Sequence, residues 1–506
     1  MAPKAQRSAE EGLRRWALAA AGLTVLALLA NVLLGAVNQD EGWYLYAARE
    51  VMAGRLPHRD FFFTQGLGFP VIYALFGWLW SAAGLLGGRL FTAALALGAL
   101  LVADGAVVSG CRRADERWSA RIVLWALLGV NLWWTYFTAI PKAYSLCVLL
   151  LAGALRLLTG ERAGEGIDGW CAAGAGVLLA VAADVRLSMG VLLPVVTAWL
   201  WWRRAVVGGR AWRWFAGGGA VGVLLCFGPE LVGWPGALLE AQHFHAAREA
   251  MGWVGRAGAV ARWMRFNPLL VVLGLLLGWL WWKRRPALRQ AVPLRGKLVE
   301  LWLWCAVALG ALHLLAPVPY DDYQVPTTLP LAMAVAFGFT LLPFDSLKVA
   351  LTKVVLLAAV AITGLGSPMA EAWGVAGKDR LWVHFKAEPE LLALRRAGAE
   401  LRALAEARGE HTVWTQDTYL AVEAGLRVPE GLEMGPFSKP QPLNATPRLA
   451  AWSGYTFAFA FPELSPNPQC ADQLAALKAA YPRPLRTFEA LGQGLTRVTF
   501  AERDER

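Results

Sequence analysis

Two adjacent carboxylates, Asp40 and Glu41, stand near the start of the stretch NQDEGWYLYAAREVMAGRLPHRDFFFTQG, which runs from Asn38 to Gly66. They follow an apolar run long enough to cross a bilayer. Two readings fit them. In one, Asp40 caps a helix that starts at Glu41, and both acids suit a helix N-terminus. In the other, a carboxylate at the membrane face, walled by Trp43, Tyr44 and Tyr46, takes the proton from an incoming hydroxyl, as inverting sugar transfer requires. The two readings are compatible.

Cations that could answer an anionic group come next: Arg89, Lys142 in TAIPKAYS and Arg186 in AADVRLSMG. Snorkelling to the interface is one account of them. The functional account is a clamp on a lipid phosphate, which the guanidinium of Arg186 suits through its fork geometry. Cations within a membrane face the protein interior or a cavity more often than lipid. The loop PVPYDDYQVP (317–326) carries Tyr320, Asp321, Asp322 and Tyr323. It reads as a solvated turn, or as a site for a substrate hydroxyl or a divalent metal. His243 and His245 point apart at their i, i+2 spacing, and no third ligand accompanies them. NAT at 444–446 matches a sequon by pattern alone.

The elements that must position these residues are membrane spans. Of the 506 residues 57% are hydrophobic and 17% charged, against about 25% charged in a typical soluble chain. Tryptophans such as Trp16, Trp78, Trp80, Trp201, Trp202, Trp281 and Trp282 end apolar runs, as interfacial anchors do. The net charge of +11 therefore reads as topology and not as a nucleic-acid footprint. Cys111, Cys147, Cys171, Cys226, Cys305 and Cys470 match no zinc spacing and imply no disulfide framework.

Apolar runs near 16–36, 86–110, 119–137, 143–159, 170–184, 187–203, 213–235, 267–282, 298–316, 326–343 and 349–365 give about eleven spans. The first is too long for a signal peptide and lacks a cleavage pattern, so it reads as a retained anchor with a cytoplasmic N-terminus. Loops that would then be inside carry the basic residues: Arg112, Arg113 and Arg117; Arg156 and Arg162; Arg203, Arg204, Arg210 and Arg213; Lys283 to Lys297; Lys348 and Lys353. The loop at 317–325, expected outside, has none. Counting 68–84 (GFPVIYALFGWLWSAAG) as another span would spoil this match, so it reads as an interfacial helix. Residues 41–54 also read as helix.

The expected fold is a polytopic α-helical membrane domain over 1–365, followed by a small extracytoplasmic α/β domain over 366–506. In the latter, the spacing predicts helices at 389–409 and 470–480, and a helix after Asp417 that is capped by Asp417 and ended by Gly425. It predicts strands at 411–416, 485–490 and 495–500.

With these residues in view, the chain resembles the GT-C membrane glycosyltransferases. The resemblance is to the bacterial branch related to protein O-mannosyltransferases and aminoarabinose transferases, of the glycosyltransferase family 39 type. Asp40-Glu41, GWYLYAAREVMAG, LPHRDFF with Arg59 and Asp60, and GFPVIYALFGWLW follow the family's first outer loop in order. The R-x-S at Arg186 and the Y-x-x-P from Tyr323 to Pro326 also fit. QGLGFP departs from the Pro-Pro that many members carry.

The resemblance implies an inverting transferase of the plasma (inner) membrane. It would use a polyprenyl-phosphate-linked sugar donor and an acceptor that is a lipid, a polysaccharide or a protein. Asp40 would be base or acceptor-orienting acid, supported by Glu41. Arg186 and Lys142 would hold the donor phosphate. Arg59, Asp60, Asp321, Asp322 and Tyr323 would be further substrate contacts. No cofactor is expected, Asp321 and Asp322 being the one acidic pair open to a divalent metal. The rival readings are a membrane transporter or lipid-linked sugar flippase, which repeated halves and broken helices would favour, and a non-catalytic scaffold.

Overall fold

The computed structural model describes residues 3–159, 161–162, 166–283, 295–342, 345–366, 369, 373–376, 383–386, 388–438, 447–454, 456–457, 469–492 and 495–503. The sequon at 444–446 and the basic loop at 284–294 lie outside the described residues.

Helix α1 (Pro3–Leu34) leads into α2 (Gln39–Met52), α3 (Gly68–Leu75) and α4 (Gly77–Trp80). Then come α5 (Gly84–Ser109), α6 (Ala114–Leu127), α7 (Leu132–Ala139) and α8 (Ala143–Leu158). A ribbon of β1 (Glu161–Arg162) and β2 (Gly166–Ile167) precedes α9 (Gly169–Val185), α10 (Leu192–Trp202), α11 (Arg204–Val207) and α12 (Ala211–Gly233). The remaining bundle is α13 (Pro235–Ala246), α14 (Trp253–Phe266), α15 (Pro268–Lys283), α16 (Arg295–Leu315), α17 (Val325–Thr340) and α18 (Asp345–Gly366). Among the described residues, helix accounts for most of each apolar run read as a span.

Among the described residues, the stretches 10–34, 77–109, 211–233 and 297–315 are each long and apolar enough to cross a bilayer. Two further pairs pass together but are bent, α6–α7 by 73° and α14–α15 by 95°. The run at 119–137 is therefore not the straight span its hydropathy suggests. The break falls at Asn131, whose side chain accepts from the N–H groups of Trp133 and Trp134 and so starts α7. Its amide donates to Asn267 Oδ1 (2.9 Å) at the break between α14 and α15. One amide pair thus satisfies polar groups at both interruptions, which an apolar surrounding demands.

The bundle exposes large apolar residues and uses small ones where helices approach closely. A Cβ at Gly176 of α9 would stand 2.2 Å from Phe215 O, and one at Gly218 of α12 would stand 2.1 Å from Ala173 O. These two helices approach through small residues, as membrane helices do. Leu26, Leu224, Leu225, Val272, Leu275 and Val307 face outward, the inverse of a soluble surface.

The segment at 68–84 is not one helix. It forms α3, α4 and a 3-10 turn (Ser81–Ala83) that ends at Gly84. Gly84 has φ +59°, a region that favours glycine, and a Cβ there would meet the Glu423 carboxylate at 2.6 Å. Leu75 and Trp78 are 70% and 75% exposed, so this piece presents an apolar edge; from Gly77 it runs into the crossing-length stretch 77–109, so the expected boundary between an interfacial helix at 68–84 and a span at 86–110 is not drawn by the fold.

After α18 the chain forms a hairpin of β3 (Gly374–Ala376) and β4 (Val383–Phe385), α19 (Glu390–Glu406) and α20 (Thr418–Ala424). It then forms β5 (Leu449–Ser453), α21 (Gln469–Ala480), β6 (Arg483–Gly492) and β7 (Leu495–Glu502). The last three strands make an antiparallel sheet in the order β5-β7-β6. The strand expected at 411–416 is reduced to isolated bridges at Thr412 and Trp414, because Arg427 and Ala450 offer it only single pairings. Asp417 stands at the start of α20 without capping it; its Oδ1 accepts from Ser453 Oγ (3.3 Å) instead. Gly425 ends that helix in the left-handed conformation, as its sequence signal implies.

This C-terminal domain clasps α2. Tyr46 Oη accepts from Val428 N (2.9 Å), and Arg49 donates to Ala421 O and Leu426 O. A Cβ at Gly42 would lie 2.3 Å from Tyr419 N, so only glycine permits the contact.

Burial of Asp417 pushes its carboxyl up to about 7. An acid raised in the fold binds its proton more tightly there than in the unfolded chain. Its stabilising contribution is therefore complete below about pH 4 and is lost as the pH rises through 7. Asp417→Asn, which keeps the shape and cannot ionise, should raise the melting temperature at pH 8 and flatten its dependence between pH 4 and 7. A melting series across that range checks this; a slope equal to that of the wild type rejects it.

Candidate active site

The first turn of α2 is held by a capping box centred on Asn38, not on Asp40. Asn38 Oδ1 accepts from Asp40 N (3.0 Å), and Glu41 Oε1 accepts from Asn38 N (2.8 Å). The capping reading of the acidic pair thus falls to Asn38 and Glu41, and the Asp40 side chain is left for other contacts.

Glu41 is fully buried against Arg89 of α5, with Nε–Oε2 and Nη2–Oε1 both 2.7 Å. Arg89 spends its other donors on Val32 O, Gly35 O and Ala36 O at the end of α1. All five guanidinium N–H groups are used. Glu41 lines no described cavity.

Asp40 does line one, of about 670 Å³. Its Oδ1 accepts from Trp43 Nε1 (3.2 Å), and its Oδ2 lies 2.7 Å from Lys142 Nζ. Lys142 precedes α8 and also reaches Asp322 Oδ2 at 2.6 Å. Tyr144 donates to that same oxygen at 2.9 Å. Burial alone would raise the Asp322 carboxyl, but the adjoining Lys142 ammonium outweighs it and holds the group below the usual carboxylate range. Lys142, expected to face a phosphate, is thus engaged by two carboxylates, with one N–H remaining.

Arg186 follows the last turn of α9. Its guanidinium lies over the rings of Tyr144 (5.0 Å) and Tyr323 (4.5 Å). Its Nε is buried, and its side chain has no hydrogen-bond or ion-pair partner among the described residues. Its charge helps hold the Asp322 carboxyl down without bonding it, and a buried cation with no bonded counter-charge is costly. Arg248, just past α13, sits beside it: Nη1 donates to Tyr323 Oη (3.4 Å), and its Nε is also unpartnered. A second cavity, of about 370 Å³, shares Gln65, Arg186, His245, Arg248 and Tyr323 with the first. Leu312, Leu315 and Pro317 make its far wall apolar. His245 accordingly sits at the junction. Burial lowers it to about 4, so it is neutral near pH 7 and donates from Nε2 to Thr64 O (2.8 Å).

The structure thus brings Asp40, Lys142, Arg186, Asp321, Asp322 and Tyr323 to one cavity. Asp321 and Asp322 are held by different cations, Arg262 and Lys142. Arg59 and Asp60 are not part of this cavity. They pair with each other at 2.7 Å and line a separate shallow cleft with Arg55 and Glu430. Sequence reasoning missed Arg248 and Tyr144, and it weighed His245 only as a metal ligand. The one signal was a basic residue in a short polar segment between apolar runs.

No protein-family model matches the chain, and no curated protein matches it. Solved structures do. The crystal structure of ArnT from Cupriavidus metallidurans bound to undecaprenyl phosphate aligns with a TM-score of 0.58 at 15% identity, over 96% of this chain and 97% of that one. Its apo form gives 0.55 at 15% identity, over 96% and 98%. The oligosaccharyltransferase AglB from Archaeoglobus fulgidus, in complex with an inhibitory peptide and a dolichol-phosphate, gives 0.50 at 11% identity, over 95% and 74%. The chain has the fold of the GT-C membrane glycosyltransferases and is a multi-pass membrane protein.

Glu41→Ala would leave the Arg89 guanidinium buried beside three carbonyls with no counter-charge. It should cost about 3–5 kcal/mol, read as loss of monodisperse protein in size-exclusion chromatography of detergent extracts. Asp40→Asn, at the cavity edge, should elute as the wild type does. Equal behaviour of the two variants would contradict this division of roles.

Proposed function

We propose that this chain is an inverting glycosyltransferase that moves a sugar from a polyprenyl-phosphate donor to an acceptor hydroxyl at the extracytoplasmic face of the plasma membrane. The observation that carries the reading is one cavity with a carboxylate pair at one side and, at the other, a buried arginine that no carboxylate bonds, opening into an apolar cleft. The neighbouring folds add support, since ArnT is bound to undecaprenyl phosphate and AglB to a dolichol-phosphate.

The acceptor oxygen attacks the anomeric carbon as the bond from that carbon to the phosphate oxygen breaks. The hydroxyl proton passes to Asp40, and the departing lipid phosphate keeps the electron pair. Asp40 has two lone-pair sites left beyond its contacts to Trp43 and Lys142, so it can act as base or orient the acceptor. Asp322 is the less accessible of the two acids, with 12% side-chain exposure against 24% for Asp40. Arg186 and Arg248 meet the charge that grows on the leaving phosphate, with the third N–H of Lys142 as an added donor. The prenyl chain takes the cleft past Leu312 and Leu315. Glu41, through Arg89, positions Asp40.

A second reading is a lipid-linked sugar flippase, and the two bent helix pairs joined at Asn131 and Asn267 favour it. A flippase leaves the donor bond intact. Mass spectrometry of envelope glycans and lipids from cells carrying wild-type or Asp40→Asn protein separates the two. The expected outcome is a glycan present with the wild type and absent with the variant; a variant that restores it rejects Asp40 as the reacting acid.

The basic loops ending in Arg113 and Arg203 belong to the cytoplasmic side on this reading, and α2 with residues 366–506 to the other. A fluorescent reporter that matures only in the cytoplasm should be dark when fused after Arg506. A bright fusion reverses the orientation.

A further inference from the structure

Behind α2, on the side turned away from the site described above, lies a cavity of about 540 Å³. It shares no lining residue with the two cavities at Arg186. Its walls come from α2, the turn at 81–84, α19 and the end of α20. Four guanidinium groups line it: Arg49, Arg395, Arg402 and Arg427.

Two acids also line it and offset part of that charge, though neither bonds a cavity arginine. Glu50 pairs with Arg55 at 2.6 Å. Glu423 accepts from Leu85 N at the start of α5. Arg49 and Arg402 are fixed by the carbonyls that end α20: Arg49 donates to Ala421 O and Leu426 O, Arg402 to Ala424 O and Glu423 O. Arg395 and Arg427 have no hydrogen-bond or ion-pair partner among the described residues. Burial lowers the proton affinity of Arg49; Tyr46 and Glu50 oppose this, and Arg427 and Arg402 add to it. Four guanidinium groups thus face two carboxylates, which leaves the cavity with an excess of positive charge.

Its membrane side supplies the second half of a ligand. Met52 lines the cavity, and its sulfur packs against α4 at Gly77. From that same short segment Trp78 and Leu79 project outward, 75% and 49% exposed, beside Leu75 and Phe76. An anion held by the arginines would lie beside this apolar edge.

We propose that this four-arginine cavity binds a phosphate ester, carried as the headgroup of an anionic membrane lipid in the leaflet that α3 and α4 contact. Arginine forks suit phosphate oxygens, and the acyl chains lie along Trp78 and Leu79. The site is independent of the transfer chemistry.

The test uses the full chain in nanodiscs of phosphatidylcholine, with or without phosphatidylglycerol. Wild-type protein should melt higher with phosphatidylglycerol and should carry that lipid into native mass spectrometry. The double variant Arg395→Gln/Arg427→Gln should retain it about 30-fold more weakly, from the loss of two cations near the surface. Arg396→Gln removes a neighbouring cation that pairs with Glu388 outside the cavity, and it should behave as wild type. Equal retention by wild type and double variant overturns the site. Equal stabilisation of phosphatidylcholine discs by glycerol 3-phosphate, lost in the double variant, overturns the lipid assignment in favour of a soluble phosphate ester.

Discussion

The buried pair of Glu41 and Arg89 governs the geometry of everything around it. A guanidinium with no exposure is tolerable only if each N–H is answered. Arg89 answers one carboxylate and three carbonyls, and in doing so it ties the end of α1, the start of α2 and the beginning of α5 into one joint. The residue before Glu41 then has little freedom. Asp40 emerges from that joint at the cavity wall, already within reach of Lys142. On the proposed reading, Glu41 aims Asp40 and does not act beside it.

Charge in the cavity is divided unevenly. Around Asp40, one ammonium is shared by two carboxylates, so that side is saturated with internal contacts. Around Arg186, two guanidinium groups face tyrosine rings and a neutral histidine, and no carboxylate bonds them, although Asp322 feels the charge of Arg186. On the proposed reading, such a gradient would orient an amphipathic phosphate ester, its anionic part to the arginines and its hydroxyls to the acids. The apolar cleft past Leu312 continues from the cationic side.

The C-terminal domain has a mechanical part in this. It grips α2 along one face, from the close approach of Tyr419 at Gly42 to the ion pair of Arg55 with Glu433. Helix α2 is therefore clamped between the bundle and this domain, and the cavity wall that carries Asp40 is backed on both sides. The arginine-lined cavity lies along the same seam, where a bound lipid would join the domain to the membrane surface.

Local signals made the helices legible. Apolar runs, tryptophans and basic loops depend on a residue and its near neighbours, so the helices of the bundle and of the C-terminal domain could be read directly, whereas the count of about eleven spans exceeds the four stretches, or six with the bent pairs, that are long and apolar enough to cross. The acidic pair, Arg186 and the loop at Asp321 were visible as chemistry out of place in an apolar chain. Partnership was not legible. Lys142 meets Asp322 across 180 positions, and Arg55 meets Glu433 across 378; no spacing rule reaches that far. Nor does periodicity reveal that Asn131 and Asn267 interrupt two spans together, that Asn38 relieves Asp40 of capping, or that Arg248 stands beside Arg186. Composition and pattern fixed which segments enter the membrane, because burial of apolar surface acts on each segment by itself. Which charges answer one another was decided only by packing, because a hydrogen bond requires atoms within about 3 Å and only the assembled bundle brings them there.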